Sequence, residues 1–217
     1  MDYFISDHHF GHKNVIRYCE RPFRTVLEMN ESMIEKWNKC VTDADRVFVL
    51  GDVFLMDADL ASDIIHRLNG YKILVAGNHD RSKKTMLECG FDEYHKKHDY
   101  KIDGIGRGLL IHYPVPDCVL DSLGYDFSIH GHIHREPISH GIKLNVAADL
   151  HDYVPVSLDK VKKILLDRET TASQESFFAQ VDDGILSVDM KIRMEDFSGA
   201  IDHIYSVMKD HWKGRKE

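Results

Sequence analysis

The chain has 217 residues, 43% hydrophobic and 29% charged, which suits one domain with a modest appendage and enough apolar material for a core. Its formal net charge of −8 with neutral histidines argues against a broad basic surface that coats nucleic acid. It has no apolar run of about 18 residues, its start MDYFISDHH lacks the basic and apolar regions of a secretory signal, and Cys19, Cys40, Cys89 and Cys118 form no CxxC pair; no membrane association is expected, and a cytoplasmic protein with reduced thiols is.

In chain order, YFIS (3–6) reads as a short strand. Thr25 followed by Glu28 fits a capping box, and Val26, Met29, Met33, Trp37 and Cys40 then fall on one helical face. VFVL (47–50) is strand-like. A second helix carries Leu60, Ile64 and Leu68 on one face, with Gly70 just past its end. KILVA (72–76), LLI (109–111) and DFSI (126–129) are further strand-like runs, and a third helix is predicted over Ser157 to Leu166. Strands alternating with helices predict an α/β fold with extra strands in the second half. SFFAQV (176–181), the turn DDG and ILSVDMKI (185–192) read as a hairpin. A helix with Ile201, Ile204, Tyr205 and Met208 on one face follows. The expected organisation is a main domain over 1–169 and a β-β-α extension over 170–217.

Each apolar run is followed by residues of metal-ligating type. Asp7 and His9 follow the first, Gly51 and Asp52 the second, and Gly77, Asn78, His79 and Asp80 the third. His112 follows the fourth, and His130, Gly131, His132 and His134 close the fifth. In an α/β sheet the C-terminal ends of the strands form the ligand-binding crevice, so these residues are expected to converge. Carboxylate, imidazole and amide oxygen suit Mn²⁺, Fe²⁺ or Zn²⁺, and the absence of cysteine ligands argues against a structural zinc. Asp7, His9, Asp52, Asn78, His112, His132 and His134 exceed what one ion can use. Two ions about 3.5–4 Å apart sharing a carboxylate are a standard device for in-line attack at phosphorus. Glycines at 51, 77 and 131 are expected to let the backbone turn sharply beside the metals.

The set Asp7-x-His9, Gly51-Asp52, Gly77-Asn78-His79-Asp80, His112 and Gly131-His132-x-His134 resembles the calcineurin-like metallophosphoesterases over roughly residues 1–167. DHHFGHKNVI, MNESMIEKWN, LGDV, HYP and NVAAD followed by PVSL look like a small bacterial and phage branch, which usually reads NVGVD where this chain has NVAAD. The resemblance implies two packed mixed β-sheets flanked by helices, with the metals at one edge. It implies Asp7, His9 and His134 around one metal, Asn78, His112 and His132 around the second, and Asp52 bridging. A hydroxide held between the ions would be the nucleophile. His79 would protonate the leaving oxygen, with Asp80 orienting its ring. Two divalent ions are implied, Mn²⁺ first, with Fe²⁺, Zn²⁺ or Ni²⁺ as alternatives.

Lys13, Arg17, Arg21 and Arg24 follow the first ligand block, and Arg81, Lys83 and Lys84 follow the third. A basic rim on an acidic protein points to an anionic substrate, with His12, Arg17, Arg21 and Arg81 as candidate contacts. The expected function is hydrolysis of a phosphodiester or phosphomonoester of a nucleotide or short nucleic acid. The alternative is a non-catalytic scaffold of the same fold, as a retromer subunit of the superfamily exemplifies. Retention of His79 and every ligand favours the enzyme. The extension offers a route to a homo-oligomer.

Overall fold

A computed structural model describes residues 1–135 and 142–172. Four parallel strands, β1 (Asp2–Ile5), β2 (Arg46–Val49), β3 (Tyr71–Val75) and β4 (Glu93–His95), lie in the order β4-β3-β2-β1. The antiparallel β9 (Val156–Ser157) closes the β1 edge. The second sheet runs β5 (His98–Ile102), β6 (Gly106–Leu110), β7 (Phe127–His130), β8 (Lys143–Asn145), with β5 antiparallel and the rest parallel. Helices are α1 (Lys13–Tyr18), α2 (Val26–Cys40), α3 (Ala58–His66), α4 (Lys83–Glu88), α5 (Asp117–Ser122) and α6 (Leu158–Ala172), with a 3-10 turn at Ala148–Leu150. The two mixed sheets flanked by helices expected from the sequence are present.

The apolar runs are continuous because the first sheet is buried on both faces. Ile5, Val47, Val49 and Leu74 face a core with Met29, Met33 and Trp37 of α2 and Ala61, Ile64 and Ile65 of α3. Phe4, Phe48, Ile73 and Val75 face the opposite way, onto Leu110, Phe127, Ile129 and Leu144 of the second sheet. Phe4 stacks on Phe48 at 5.4 Å, and Tyr100 meets both edge-on at 5.2 Å. Tyr100 can be buried there because its hydroxyl donates to Asp2 at 2.6 Å.

The α2 cap forms as the sequence suggests: Thr25 Oγ1 accepts from Glu28 N at 3.1 Å. The Glu28 carboxylate reaches back one residue further than a capping box requires, to Arg24 N at 2.8 Å. In α3 the expected apolar face is rotated. Leu60 is 56% exposed, and Ala61, Ile64 and Ile65 make the contact. α6 begins at Leu158, with Ser157 Oγ accepting from Lys160 N at 3.3 Å, and runs past the expected end at Leu166 to Ala172. The expected β-hairpin and final helix lie outside the described residues.

At the C-terminal ends of β1 and β8 the sheets are stitched together. Ser6 N donates to Val146 O at 3.0 Å and Ala148 N to Ser6 O at 2.9 Å. The segment after β1 also runs along the segment after β2, through Asp7 N to Gly51 O, His9 N to Asp52 O and Phe10 N to Val53 O at 2.9–3.0 Å. The two segments that carry Asp7, His9 and Asp52, and the one after β8, are thereby drawn to one edge.

Candidate metal centre

Among the described residues three groups of donor atoms lie within 4.8 Å of one another: the triads Asp7, His9 and His134, and Asp52, His112 and His132, at that edge, and Cys19, His134 and Asp149, which shares His134 with the first. Asn78 Oδ1 lies 3.1 Å from His112 Nε2 and so joins the second. The Asp52 carboxylate faces both. Its Oδ1 is 3.5 Å from His112 Nε2 and its Oδ2 is 3.6 Å from His9 Nε2. All seven expected ligands therefore converge.

The backbone of the candidate ligands is held in an uncommon conformation. Asp7 (φ 57), His9 (φ 52), Asp52 (φ 56), His132 (φ 73) and His134 (φ 46) are five of the eight non-glycine residues with positive φ among those described. Each such position costs on the order of 1 kcal/mol and persists only where the surroundings enforce it. The glycines expected to turn the chain divide into two kinds. Gly51 does so, at φ 84. Gly77 and Gly131 instead supply room: a Cβ at Gly77 would stand 2.4 Å from Asp52 Oδ1, and one at Gly131 2.3 Å from Asp7 Oδ2. Ala147, the departure from NVGVD, has φ −55, which any residue adopts.

Several of the candidate ligands have one polar atom spoken for and another aimed inward. Asp7 Oδ2 accepts from Ser6 Oγ at 2.6 Å and His132 N at 2.9 Å. Asp7 Oδ1 is buried with no hydrogen-bond partner, as are both ring nitrogens of His9. His112 Nδ1 donates to Leu50 O at 2.7 Å, which fixes the tautomer and leaves the Nε2 lone pair facing Asn78 Oδ1 and, at 3.2 Å, His132 Nδ1. Asp7 Oδ1 and the His9 ring nitrogens, buried without a hydrogen-bond partner, cost roughly 1–3 kcal/mol each, and a divalent cation relieves that cost. The donor set of imidazole, carboxylate and amide oxygen therefore fits two such ions.

The electrostatics agree. Burial pushes the His112 imidazole down, but the Asp52 and Asp7 carboxylates outweigh it and its pKa is raised, so positive charge is favoured there, as a proton on Nε2 or as a cation in its place. Burial and the neighbouring His134 and Arg21 charges hold His9 well below the ordinary histidine range, as a neutral base free to ligate.

His79 sits at the outer edge, its side chain 39% exposed, with Nε2 3.9 Å from Asp52 Oδ2 and its backbone N donating to Asp52 Oδ1 at 2.9 Å. Asp80 does not orient it. The Asp80 carboxylate accepts from Asp52 N at 3.0 Å, Val53 N at 2.9 Å and Gly77 N at 2.7 Å, tying the segments after β2 and β3 together. Burial and the Asp52 carboxylate raise its pKa against the pull of those N–H groups.

The expected rim is only partly a rim. Arg17 is exposed beside Tyr18, its guanidinium 5.4 Å from that ring. The His12 ring lies 5.7 Å from His9 and 6.5 Å from Tyr18, so it sits between a ligand and the surface. Arg81 is exposed and donates to Met56 O at 2.9 Å. Arg21, expected to touch substrate, has a fully buried side chain. It makes a two-pronged ion pair with Asp149 at 2.8 Å and donates to the carbonyls of Asp7 and His8 at 2.7 Å. Asp149 in turn accepts from His134 Nδ1 at 2.9 Å. Sequence reading passed over Asp149 as a site residue, although it closes the NVAAD motif. Ser6, which fixes Asp7, was missed because a lone serine gives no signal.

His8 points away from the ligands, with its ring stacked on Phe10 at 5.0 Å. His130 Nδ1 lies 2.9 Å from Gly131 O, so it steadies backbone rather than a ligand's side chain.

No protein-family model matches the chain. An uncharacterised protein of Methanocaldococcus jannaschii is 34% identical over 172 residues, spanning 75% of this chain and 90% of that protein. The chain belongs to the same family as that archaeal protein. The crystal structure of a protein of unknown function from Aquifex aeolicus matches with a TM-score of 0.65 at 28% identity, over 76% of this chain and 98% of that one. An archaeal phosphodiesterase structure matches with a TM-score of 0.40 at 17% identity, over 66% of this chain and 81% of that one. The fold and the two donor triads thus define an α/β protein with candidate divalent-metal groups at the C-terminal edge of its sheets. Among the described residues no helix is long and apolar enough to cross a membrane.

Proposed function

We propose that this protein is a dinuclear metal-dependent phosphoesterase of the calcineurin-like kind, hydrolysing a phosphodiester or phosphomonoester of a nucleotide or short nucleic acid. One observation carries the reading: a single carboxylate, Asp52, has one oxygen toward each donor triad. Asp7, His9 and His134 would hold one ion, Asn78, His112 and His132 the other, with Mn²⁺ the first candidate. Bound there, two divalent ions supply Lewis acidity toward phosphoryl oxygens and lower the pKa of water toward neutrality.

The chain's own groups account for the remaining work. His79 is the candidate general acid, because it combines exposure with 3.9 Å proximity to the shared carboxylate and could reach a leaving oxygen at the same edge. Its backbone bond to Asp52 Oδ1 fixes its approach. His12, Arg17, Tyr18 and Arg81 offer cations and a ring for the remainder of the substrate.

The test is Mn²⁺-dependent hydrolysis of a chromogenic phosphodiester beside the matching monoester, with His79→Ala as control. Diester cleavage that falls by about 10²–10⁴-fold in the variant is the expected result. No turnover of either ester with Mn²⁺, Fe²⁺ or Zn²⁺ in a protein carrying two ions would overturn the enzyme reading in favour of a scaffold.

A further inference from the structure

Arg21 is a buried cation beside the site, its side chain fully enclosed. It joins three pieces of chain that are distant in sequence. Two of its donors hold the carbonyls of Asp7 and His8, the turn that carries the first ligands. Nε and Nη2 grip both oxygens of Asp149, in the 3-10 turn after β8. Through Asp149 Oδ2 the same guanidinium reaches His134 Nδ1 at 2.9 Å. The opposite nitrogen of that ring, Nε2, faces Asp7 Oδ1 at 4.0 Å.

We propose that Arg21 and Asp149 are positioning residues that set His134 as a metal ligand. Asp149 fixes the proton of His134 on Nδ1 and presents the Nε2 lone pair to the cation position, while Arg21 locks Asp149 to the backbone that carries Asp7. The inference rests on the dinuclear-metal reading and adds to it the device that holds the first position in shape. The geometry demands such a device. His134 is a non-glycine residue at φ 46, with its ring 25% exposed, so its backbone is constrained while its ring has room to turn. His112, at the second position, has an anchor of its own in the carbonyl of Leu50. Fixing a histidine's tautomer through a carboxylate is worth about 10–100-fold in metal affinity.

Arg21 is also the wrong kind of group for substrate. Its side chain is fully buried, and Nε, Nη1 and Nη2 all donate to oxygens of the protein. Asp149 carries negative charge to hold it: burial raises the carboxyl's pKa, but the His134 and Arg21 bonds outweigh that and lower it.

The experiment is a calorimetric Mn²⁺ titration of the full chain and of Asp149→Asn. His134→Ala and His132→Ala identify which binding step belongs to which position. Asp149→Asn should weaken the step that His134→Ala removes by about 10–100-fold and leave the other within about twofold. Equal weakening of both steps in a folded variant, or none, would overturn the proposal. Long-range ¹H–¹⁵N NMR of the zinc-titrated wild-type protein needs no variant to fold. A proton on His134 Nδ1 supports the relay, and one on Nε2 overturns it. A wild-type protein that binds fewer than two ions would sink the phosphoesterase reading instead, with the His134 tautomer still deciding the relay.

Discussion

Asp80→Asn separates two roles for one carboxylate. The family resemblance makes Asp80 a partner of the His79 ring, whereas its oxygens accept from the N–H groups of Asp52, Val53 and Gly77 at 2.7–3.0 Å. Asparagine can keep its oxygen where Oδ2 stands, retaining the Asp52 and Gly77 bonds. Its amide then meets Val53 N–H donor to donor. One buried N–H loses its acceptor and two bonds lose their charge assistance, which costs about 2–4 kcal/mol by the usual magnitudes. Asp80→Ala strips all three and should cost at least as much. With a urea m-value of about 2 kcal/mol per molar for a chain of this size, the midpoint of Asp80→Asn should fall by roughly 1–2 M with the slope unchanged. The assay is urea unfolding followed by tryptophan fluorescence in chelator, which removes any contribution from bound metal. An unchanged midpoint with turnover reduced as far as in His79→Ala would refute the tether and restore the ring-orienting role.

Gly131→Ala should cost about 1–3 kcal/mol by overpacking and abolish binding at the first cation position, because the new Cβ would stand 2.1 Å from Ser6 Oγ and 2.3 Å from Asp7 Oδ2; normal Mn²⁺ binding by this variant would contradict the packing. His8 and His130 are neutral because burial pushes them to about 3 and about 4 from an ordinary 6.5. Below pH 6.5 the unfolded chain therefore takes up protons the folded chain refuses. Their contribution is complete above 6.5 and is lost as pH falls, at about 1.4 kcal/mol per pH unit for each group. His8→Phe, which fits the stack on Phe10 and Trp37, should make the decline in chelator between pH 6.5 and 4 shallower, and an unchanged slope would count against the assignment. Mn²⁺ at 100 times its Kd should add about 2.7 kcal/mol per site, read as a rise in Tm that Asp52→Asn largely removes.

The parts of the fold legible in sequence are those where both faces of a strand are buried. Phe4 and Ile5, or Phe48 and Val49, face different cores, so the runs carry no polar interruption and end where the ligands begin. β4, β5, β8 and β9 were not legible. β4, β8 and β9 have 3, 3 and 2 residues, and their pairing comes from neighbours rather than from their own pattern; β5, HDYKI, buries only Tyr100 and Ile102 among polar residues. Leu60 misled because helical spacing marks a stripe, not which edge of the stripe meets the sheet. The convergence of the seven candidate ligands was legible because carboxylates, imidazoles and an amide at five strand ends have few other reasons to recur. Arg21 was misread for a physical reason: composition registers a charge near a site but not that the chain passes beneath the loop carrying Asp7, where two carbonyls, Asp149 and the Met29 sulfur take its donors. Asp80 was misread because its motif gives proximity to His79 in sequence, while its carboxylate points at backbone.

The central claim is that two cations share Asp52. The most direct measurement is the electron paramagnetic resonance spectrum of the protein loaded with Mn²⁺ to saturation, compared with Asp52→Asn. Two ions about 3.5–4 Å apart through a common carboxylate predict an exchange-coupled signal that is lost in the variant. An uncoupled mononuclear spectrum at full loading, the same in both proteins, would contradict the account.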